Sequence, residues 1–302
     1  MPRIAIVVTD AGFRVDTDPE RDVTPLLEAL LRCGAEAERA IWHDPAVDWS
    51  SYDLAVIRTP WDYVLRAEEF EAWLDRAGRL TRVLNEPQLV RWNMDKRYLA
   101  QLDAAGVPVV PTTYHQDLES FSSALTELGA TGSTGVPGHV VVKPAVGAGS
   151  LHTGLFGHDD PAAAELARVI LAEDGVVMLQ PEVPELSEGR EKALYVVDGH
   201  VTHAIAKGAL LARGGGLRGG TYQERPVVVE TSTLERSFAE RVLAAVSEVT
   251  GLAAPLYGRI DTVDSAEHGL VLLEAELFEP FFNLHLVPDV AETFAEAILA
   301  RA

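Results

Sequence analysis

The feature that most constrains this chain lies toward its C-terminal end, in two runs that read as a hairpin. They are Tyr257-Gly258-Arg259-Ile260-Asp261 and Leu270-Val271-Leu272-Leu273-Glu274-Ala275-Glu276. Alternate residues of a strand share a face, so Arg259 lies with Asp261, and Glu274 with Glu276. A turn through Ser265–Gly269 sets Asp261 opposite Glu274. Three carboxylates then converge at the end of an apolar hairpin, where left unpaired they repel and are costly to desolvate. Hard divalent cations take such oxygen donors, and magnesium is commonly held by one or two carboxylates plus substrate phosphates. The pattern predicts a metal site on Asp261, Glu274 and Glu276. The plainer alternative, rim residues paired with surface arginines, fits less well because both glutamates follow an apolar run.

Composition narrows the partners. The chain has 302 residues, 47% hydrophobic and 24% charged, the balance of a globular protein. A net charge of −21 repels nucleic acid and anionic membrane, so neither is expected as a partner. The single cysteine, Cys33, excludes a disulfide framework and is expected in the core. The opening MPRIAIVVTD turns polar too soon for a signal peptide, and no run is long and apolar enough to span a bilayer. A soluble, cytoplasmic protein is expected, with assembly into a homo-oligomer left open. Among 25 basic residues only Lys96, Lys143, Lys192 and Lys207 are lysines. In so arginine-rich a chain, a retained lysine is more often needed as a compact ammonium donor.

The order of elements divides the chain. Strands at Ile4–Val8, Ala35–Trp42, Leu54–Ile57 and Arg82–Leu84 alternate with helices, one starting with Pro25 in its first turn and another near Ala67–Ala77. This β-α-β alternation predicts a Rossmann-like parallel lobe over residues 1–92. A central lobe, 93–184, begins with a helix from Trp92 to Gly106. It continues through a helix near Leu118–Leu128, the strand His139–Lys143, a helix at Pro161–Glu173, and a strand running to Val183. The C-terminal lobe, 185–302, reads as largely antiparallel and holds the metal site. The fold class is α/β with α+β lobes.

Lys143 ends its strand and leads into Ala145-Val146-Gly147-Ala148-Gly149-Ser150. A loop of this kind offers backbone N–H groups to phosphate, with the ammonium adding charge. The loop matches neither a P-loop nor a dinucleotide fingerprint, and by itself is equally an ordinary hairpin tip.

Taken together, Asn93-Met94-Asp95-Lys96, Val141-Val142-Lys143-Pro144 with its glycine loop, Gln180-Pro181-Glu182-Val183, Arg259-Ile260-Asp261 and Glu274-Ala275-Glu276 resemble the ATP-grasp ligases in kind and order. The resemblance implies the ATP-grasp fold, ATP and magnesium as cofactors (manganese an acceptable substitute), and activation of a carboxylate as an acyl phosphate. It implies that Lys96 and Lys143 contact phosphates beside Gly147, Gly149 and Ser150. Gln180, Glu182 and Val183 would meet the adenine, Glu191 the ribose, and Lys207 would lie near the purine. Arg259, with Lys143 and Glu276, would act on the transferred phosphoryl group. Many members carry Glu-x-Asn where this chain has Glu274-x-Glu276, a departure that bears on the acyl-acceptor side.

Arg58-Thr59-Pro60-Trp61-Asp62-Tyr63, Leu84-Asn85-Glu86-Pro87 and the run to Pro280 resemble a subgroup of small ATP-grasp enzymes that includes the cyclo-ligases of cycloserine biosynthesis. That likeness implies closure of O-ureido-D-serine to D-cycloserine by intramolecular nitrogen attack, with loss of CO2 and ammonia. The partner is then a small amino-acid-like substrate. Arg58, Trp61, Asp62 and Tyr63, at the carboxyl end of a buried strand, and Arg218, on a glycine-rich lid at Leu211–Thr221, are expected to bind it. Glu276 would select its ammonium group. The alternative is an intermolecular carboxylate–amine ligase of the peptide or glutathione-synthetase kind.

Overall fold

The computed structural model describes residues 1–10, 12–13, 18–130 (residue 130 by its backbone alone), 138–147, 149–218 and 225–302. The glycine-rich segments 131–137 and 219–224, and Ala148, lie outside the described residues.

Three sheets form the frame. In the first, β1 (Arg3–Val8), β2 (Glu36–Ile41), β3 (Leu54–Thr59) and β4 (Arg82–Leu84) run parallel in the order β2-β1-β3-β4. Helices α1 (Glu20–Arg32) and α2 (Ala67–Leu80) provide crossovers. One face of this sheet packs on a cluster of aromatic rings that includes Trp42, Phe70, Trp73 and Phe278. Its other face shares a core with residues far along the chain, among them Tyr257, Phe282 and Phe294.

Helix α1 begins five residues before Pro25, which sits inside it. Proline removes one helical hydrogen bond and normally marks a first turn. Here tertiary contacts hold the earlier turn in place: the buried Asp22 carboxylate accepts from the backbone N–H groups of Phe282 and Leu284, the latter at 2.8 Å. Cys33 caps the C-terminal end of α1 and is exposed, not in the core.

Where one helix was expected from Trp92 to Gly106, there are two, α3 (Pro87–Met94) and α4 (Tyr98–Ala104). The break is productive. Asp95 turns to Arg97 at 2.8 Å, and the Lys96 N–H donates to Ala145 O at 2.8 Å. This stitches the interruption to the glycine loop. The first expected lobe boundary, at residue 92, falls inside α3.

The second sheet, ordered β5-β8-β6-β7, combines β5 (Thr113–His115), β6 (His139–Pro144), β7 (Gly154–Gly157) and β8 (Val177–Pro181). Helices α5 (Leu118–Ala130) and α6 (Pro161–Ala172) cover it, and a short α7 spans Pro184–Ser187. The third sheet, ordered β11-β10-β9-β12-β13, is antiparallel: β9 (Lys192–Val197), β10 (His200–Ala206), β11 (Val227–Val229), β12 (Tyr257–Ser265) and β13 (Gly269–Glu276). Strand β11 begins at Val227, and residues 221–224 before it lie outside the described residues. Helix α8 (Thr233–Thr250) backs this sheet behind a Ser232–Glu235 capping box. Lys192 pairs with that Glu235 at 2.6 Å. The last helix, α9 (Pro288–Leu299), packs into the core of the N-terminal sheet, so segment 185–302 is not a separate unit.

Candidate active site

The β12–β13 hairpin has the register that the alternation predicted. Asp261 pairs with Glu274 and Arg259 with Glu276, with Leu273 as an extra residue next to the pair. The strand alternation alone does not hold β13 at this depth. Asn93 donates to Ala275 O and accepts from Leu277 N, both at 2.7 Å, while the Tyr98 hydroxyl brackets Ala275 at 2.7 and 3.0 Å. Asn85 does the same one strand over, accepting from Leu256 N at 2.7 Å and donating to Tyr257 O at 2.8 Å. Gly258 lets β13 approach closely: a Cβ there would stand 2.8 Å from Leu277 Cδ2, which would have to shift, and 3.3 Å from Glu276 O.

Around the hairpin lies one cavity between the second and third sheets. Lys96, Lys143, Gly147, Gly149 and Ser150 line its glycine-loop side. Gln180, Glu182, Val183 and Glu191 line the hinge side, and Lys207, Arg259, Asp261, Glu274 and Glu276 the hairpin side. Every residue expected to touch nucleotide or metal is therefore gathered on one space.

Its electrostatics are those of an ion-exchange site. Lys207 stands 2.7 Å from Asp261 and 2.9 Å from Glu191; Arg259 makes a two-point contact with Asp261 at 2.8 Å and also reaches Glu276. Lys96 pairs with Glu274 at 3.1 Å. Lys143 has no ion-pair partner among the described residues, and burial pushes its ammonium pKa down. It is the cation most ready to meet an incoming anion. Burial, aided by the negative charge of Asp261 and Glu274, pushes Glu276 up to about 8 even beside Arg259. Among the described residues no three acidic, histidine or cysteine side chains stand arranged to hold a metal ion, because the carboxylates are turned to their cations. The donor set itself, all carboxylate oxygen, suits a hard divalent ion once those cations turn to phosphate.

At the hinge, Glu182 accepts from Ser187 Oγ at 2.7 Å and from Arg213 Nε at 3.1 Å, with His139 at 3.3 Å. The Glu182 N–H donates to His139 O at 2.8 Å. Residues 211–218 dock on the second sheet: Leu155 N–H donates to Gly215 O, and Gly214 N–H to Leu155 O, each at 2.8 Å.

The expected substrate set is placed differently. Arg58 is fully buried; its guanidinium meets Asp22 at 3.2 Å and Pro280 O at 2.8 Å, stacked on Tyr257, Phe282 and Phe294. It is a core ion pair between lobes, without access to a ligand. Asp62 accepts from Trp42 Nε1 at 2.7 Å and lies near His43 and Arg66. Arg218 donates to Leu211 O and Ser187 O at 2.8 and 3.0 Å, anchoring its own loop. None of these lines the cavity. Trp61 and Tyr63 do not line it either and meet Glu279 instead: Tyr63 donates to its carboxylate at 2.5 Å and Trp61 Nε1 to its carbonyl at 3.1 Å. Burial pushes Glu279 up to about 7.

A parallel lobe followed by two antiparallel sheets that clasp a lysine- and carboxylate-lined cavity defines an ATP-grasp ligase. Residues 4–85 match the family model for the N-terminal domain of D-cycloserine synthetase DcsG. The cycloserine biosynthesis protein DcsG of Streptomyces lavendulae is 37% identical over 301 residues, covering 99% of this chain and 98% of that protein. The crystal structure of D-cycloserine synthetase DcsG superposes with a TM-score of 0.87 at 36% identity, over 99% of both chains. A RimK-domain ATP-grasp protein from Sphaerobacter thermophilus shares the fold with a TM-score of 0.66 at 22% identity, over 98% of this chain and 99% of that one. The chain belongs to the D-cycloserine synthetase family of ATP-dependent ligases. Among the described residues no helix is long and apolar enough to cross a membrane.

Proposed function

We propose that this chain closes O-ureido-D-serine to D-cycloserine at the expense of ATP. The observation that carries the reading is full-length similarity to a cycloserine biosynthesis protein, together with a cavity whose lining has the charges such a reaction needs.

Lys143, which has no ion-pair partner among the described residues, and Lys96 bind the phosphates of ATP, with Gly147, Gly149 and Ser150 offering the loop backbone. Gln180 and the backbone of Glu182 and Val183 hold the adenine, Glu191 the ribose, and Lys207 the purine side. With Lys96 drawn to phosphate and Lys207 to the purine, Glu274 and Asp261 are released, and with Glu276 they would hold magnesium or manganese. The metal, when bound, neutralises charge on the phosphates and orients them. Arg259, already at the hairpin face, stabilises the transferred phosphoryl group at the substrate carboxylate. Residues 211–218 keep water from the acyl phosphate. The nitrogen bound to oxygen in the same substrate then attacks the acyl carbon, phosphate leaves, and hydrolysis of the carbamoyl group releases CO2 and ammonia. Because the nucleophile is tethered, ring closure proceeds at high effective molarity and needs no pocket for a second substrate.

The test is incubation with ATP, magnesium and O-ureido-D-serine alone, read by ADP release and mass spectrometry. A cyclic product without added amine supports the reading. ADP release that depends on a free amine, with a linear amide as product, replaces it with an intermolecular ligase.

A further inference from the structure

Nearly every carboxylate around the hairpin stands against a cation. Asp261 has Lys207 and Arg259, Glu274 has Lys96, Glu276 has Arg259, and Glu191 has Lys207. Among the described residues two buried carboxylates beside the hairpin do not: Glu185, held instead by the Ala266 N–H at 2.9 Å, and Glu279. Glu279 is 7% exposed, and among the described residues no lysine, arginine or histidine lies within ion-pairing distance of it. Its one side-chain partner is the neutral hydroxyl of Tyr63, at 2.5 Å on Oε1.

The carboxylate is also held where it is. Trp61 Nε1 clasps the Glu279 carbonyl, Arg58 the carbonyl of Pro280, and Asp22 the N–H of Phe282. On the other side the Tyr257 hydroxyl donates to Phe278 O at 2.9 Å, so the backbone that carries Glu279 is held from both directions. It stands on the N-terminal-lobe side of the hairpin, within electrostatic range of Lys96, Glu274 and Arg259. A buried carboxylate without a cation is costly, and that cost is removed when a ligand carries the cation in.

We propose that Glu279, tethered by Tyr63, binds the α-ammonium of the amino-acid substrate. The inference rests on the cyclo-ligase reading for the identity of that substrate. The α-ammonium of an amino acid is one carbon from the carboxyl group to be phosphorylated, so its anchor must lie near the phosphoryl-transfer groups; Glu279 stands three residues beyond Glu276 and within electrostatic range of Lys96 and Arg259. Glu276, expected from sequence to take this role, is occupied by Arg259.

The experiment compares O-ureido-D-serine with the analogue that lacks only the α-amino group, 3-(ureidooxy)propanoate. Wild-type enzyme is expected to prefer the amino acid by about 100-fold or more in kcat/KM, as a site built for a polar group rejects the analogue without it. In Glu279→Gln the KM for O-ureido-D-serine rises, the KM for ATP stays put, and the preference collapses. Turnover by the variant with the preference intact overturns the proposal alone. No turnover of O-ureido-D-serine by wild type overturns the cyclo-ligase reading and this proposal with it. If Glu279→Gln does not fold, Tyr63→Phe carries the test: it keeps the charge and removes its tether, so KM rises for the amino acid and not for the analogue. Equal effects on both overturn the proposal.

Discussion

Asp261 faces Glu274 across the β12–β13 ladder, yet the two are balanced by lysines from different lobes: Lys207 at 2.7 Å and Lys96 at 3.1 Å. Lys207 follows β10 of the same sheet, whereas Lys96 arrives from the α3–α4 break beside the glycine loop. The pairing closes the cavity from two sides and, against the cost of burial, holds the carboxyl groups of Asp261 and Glu274 below their usual range.

Glu274→Gln should leave a folded protein that scarcely turns over. The loss removes one oxygen charge from the metal set and the partner of Lys96, and a fall in kcat on the order of 100-fold is expected. ADP release at saturating magnesium, beside an unchanged circular dichroism spectrum, measures it.

Lys143→Ala should raise the KM for ATP by about 10-fold or more, the worth of a charge-assisted hydrogen bond. Lys143→Arg should rescue little, because a planar fork does not fit where a point ammonium ends the strand. Equilibrium binding of a fluorescent ADP analogue separates affinity from turnover.

The ligand-free protein should lose stability as pH rises from about 5 to about 8. Glu276, pushed up to about 8 by burial and then by its negative neighbours, is raised above an unfolded value near 4.5. Its native state binds the proton more tightly, so the stabilisation is complete below the unfolded pKa and fades as pH passes the folded one. Glu279, pushed up to about 7, acts in the same sense. Melting temperature against pH should therefore fall less steeply in Glu276→Gln than in wild type.

Arg58→Ala should destabilise the fold by about 3–5 kcal/mol, the usual result of stranding one half of a buried ion pair. In the fraction that folds, the KM for substrate should change little, since Arg58 lies against Asp22 and three aromatic rings. Urea denaturation beside steady-state kinetics distinguishes this from a binding role.

Much of this molecule is written in local pattern. The period of two in Arg259–Asp261 and Glu274–Glu276 determines the carboxylate face and, with the turn, the register. Strands β4 and β9 fall at Arg82–Leu84 and Lys192–Val197, where β-branched and apolar runs begin and end. The lysines and the glycine loop stand out because so few lysines are present. All of these follow from spacing within a few residues, which sequence displays directly.

What spacing does not display is which distant group completes a polar side chain. Asp22 carries α1 past Pro25 because Phe282 and Leu284 bring their N–H groups to it from 260 and 262 residues away. The helix breaks at Lys96 because Ala145 offers a carbonyl there. Arg58 reads as a ligand-binding arginine until Asp22 and the rings of Tyr257, Phe282 and Phe294 enclose it. Glu279 reads as one more acidic residue until the Tyr63 hydroxyl closes on its carboxylate. In each case the residue's own chemistry was determined by sequence, and its role was decided by tertiary packing, because burial makes a polar group depend on the partner that folding brings to it.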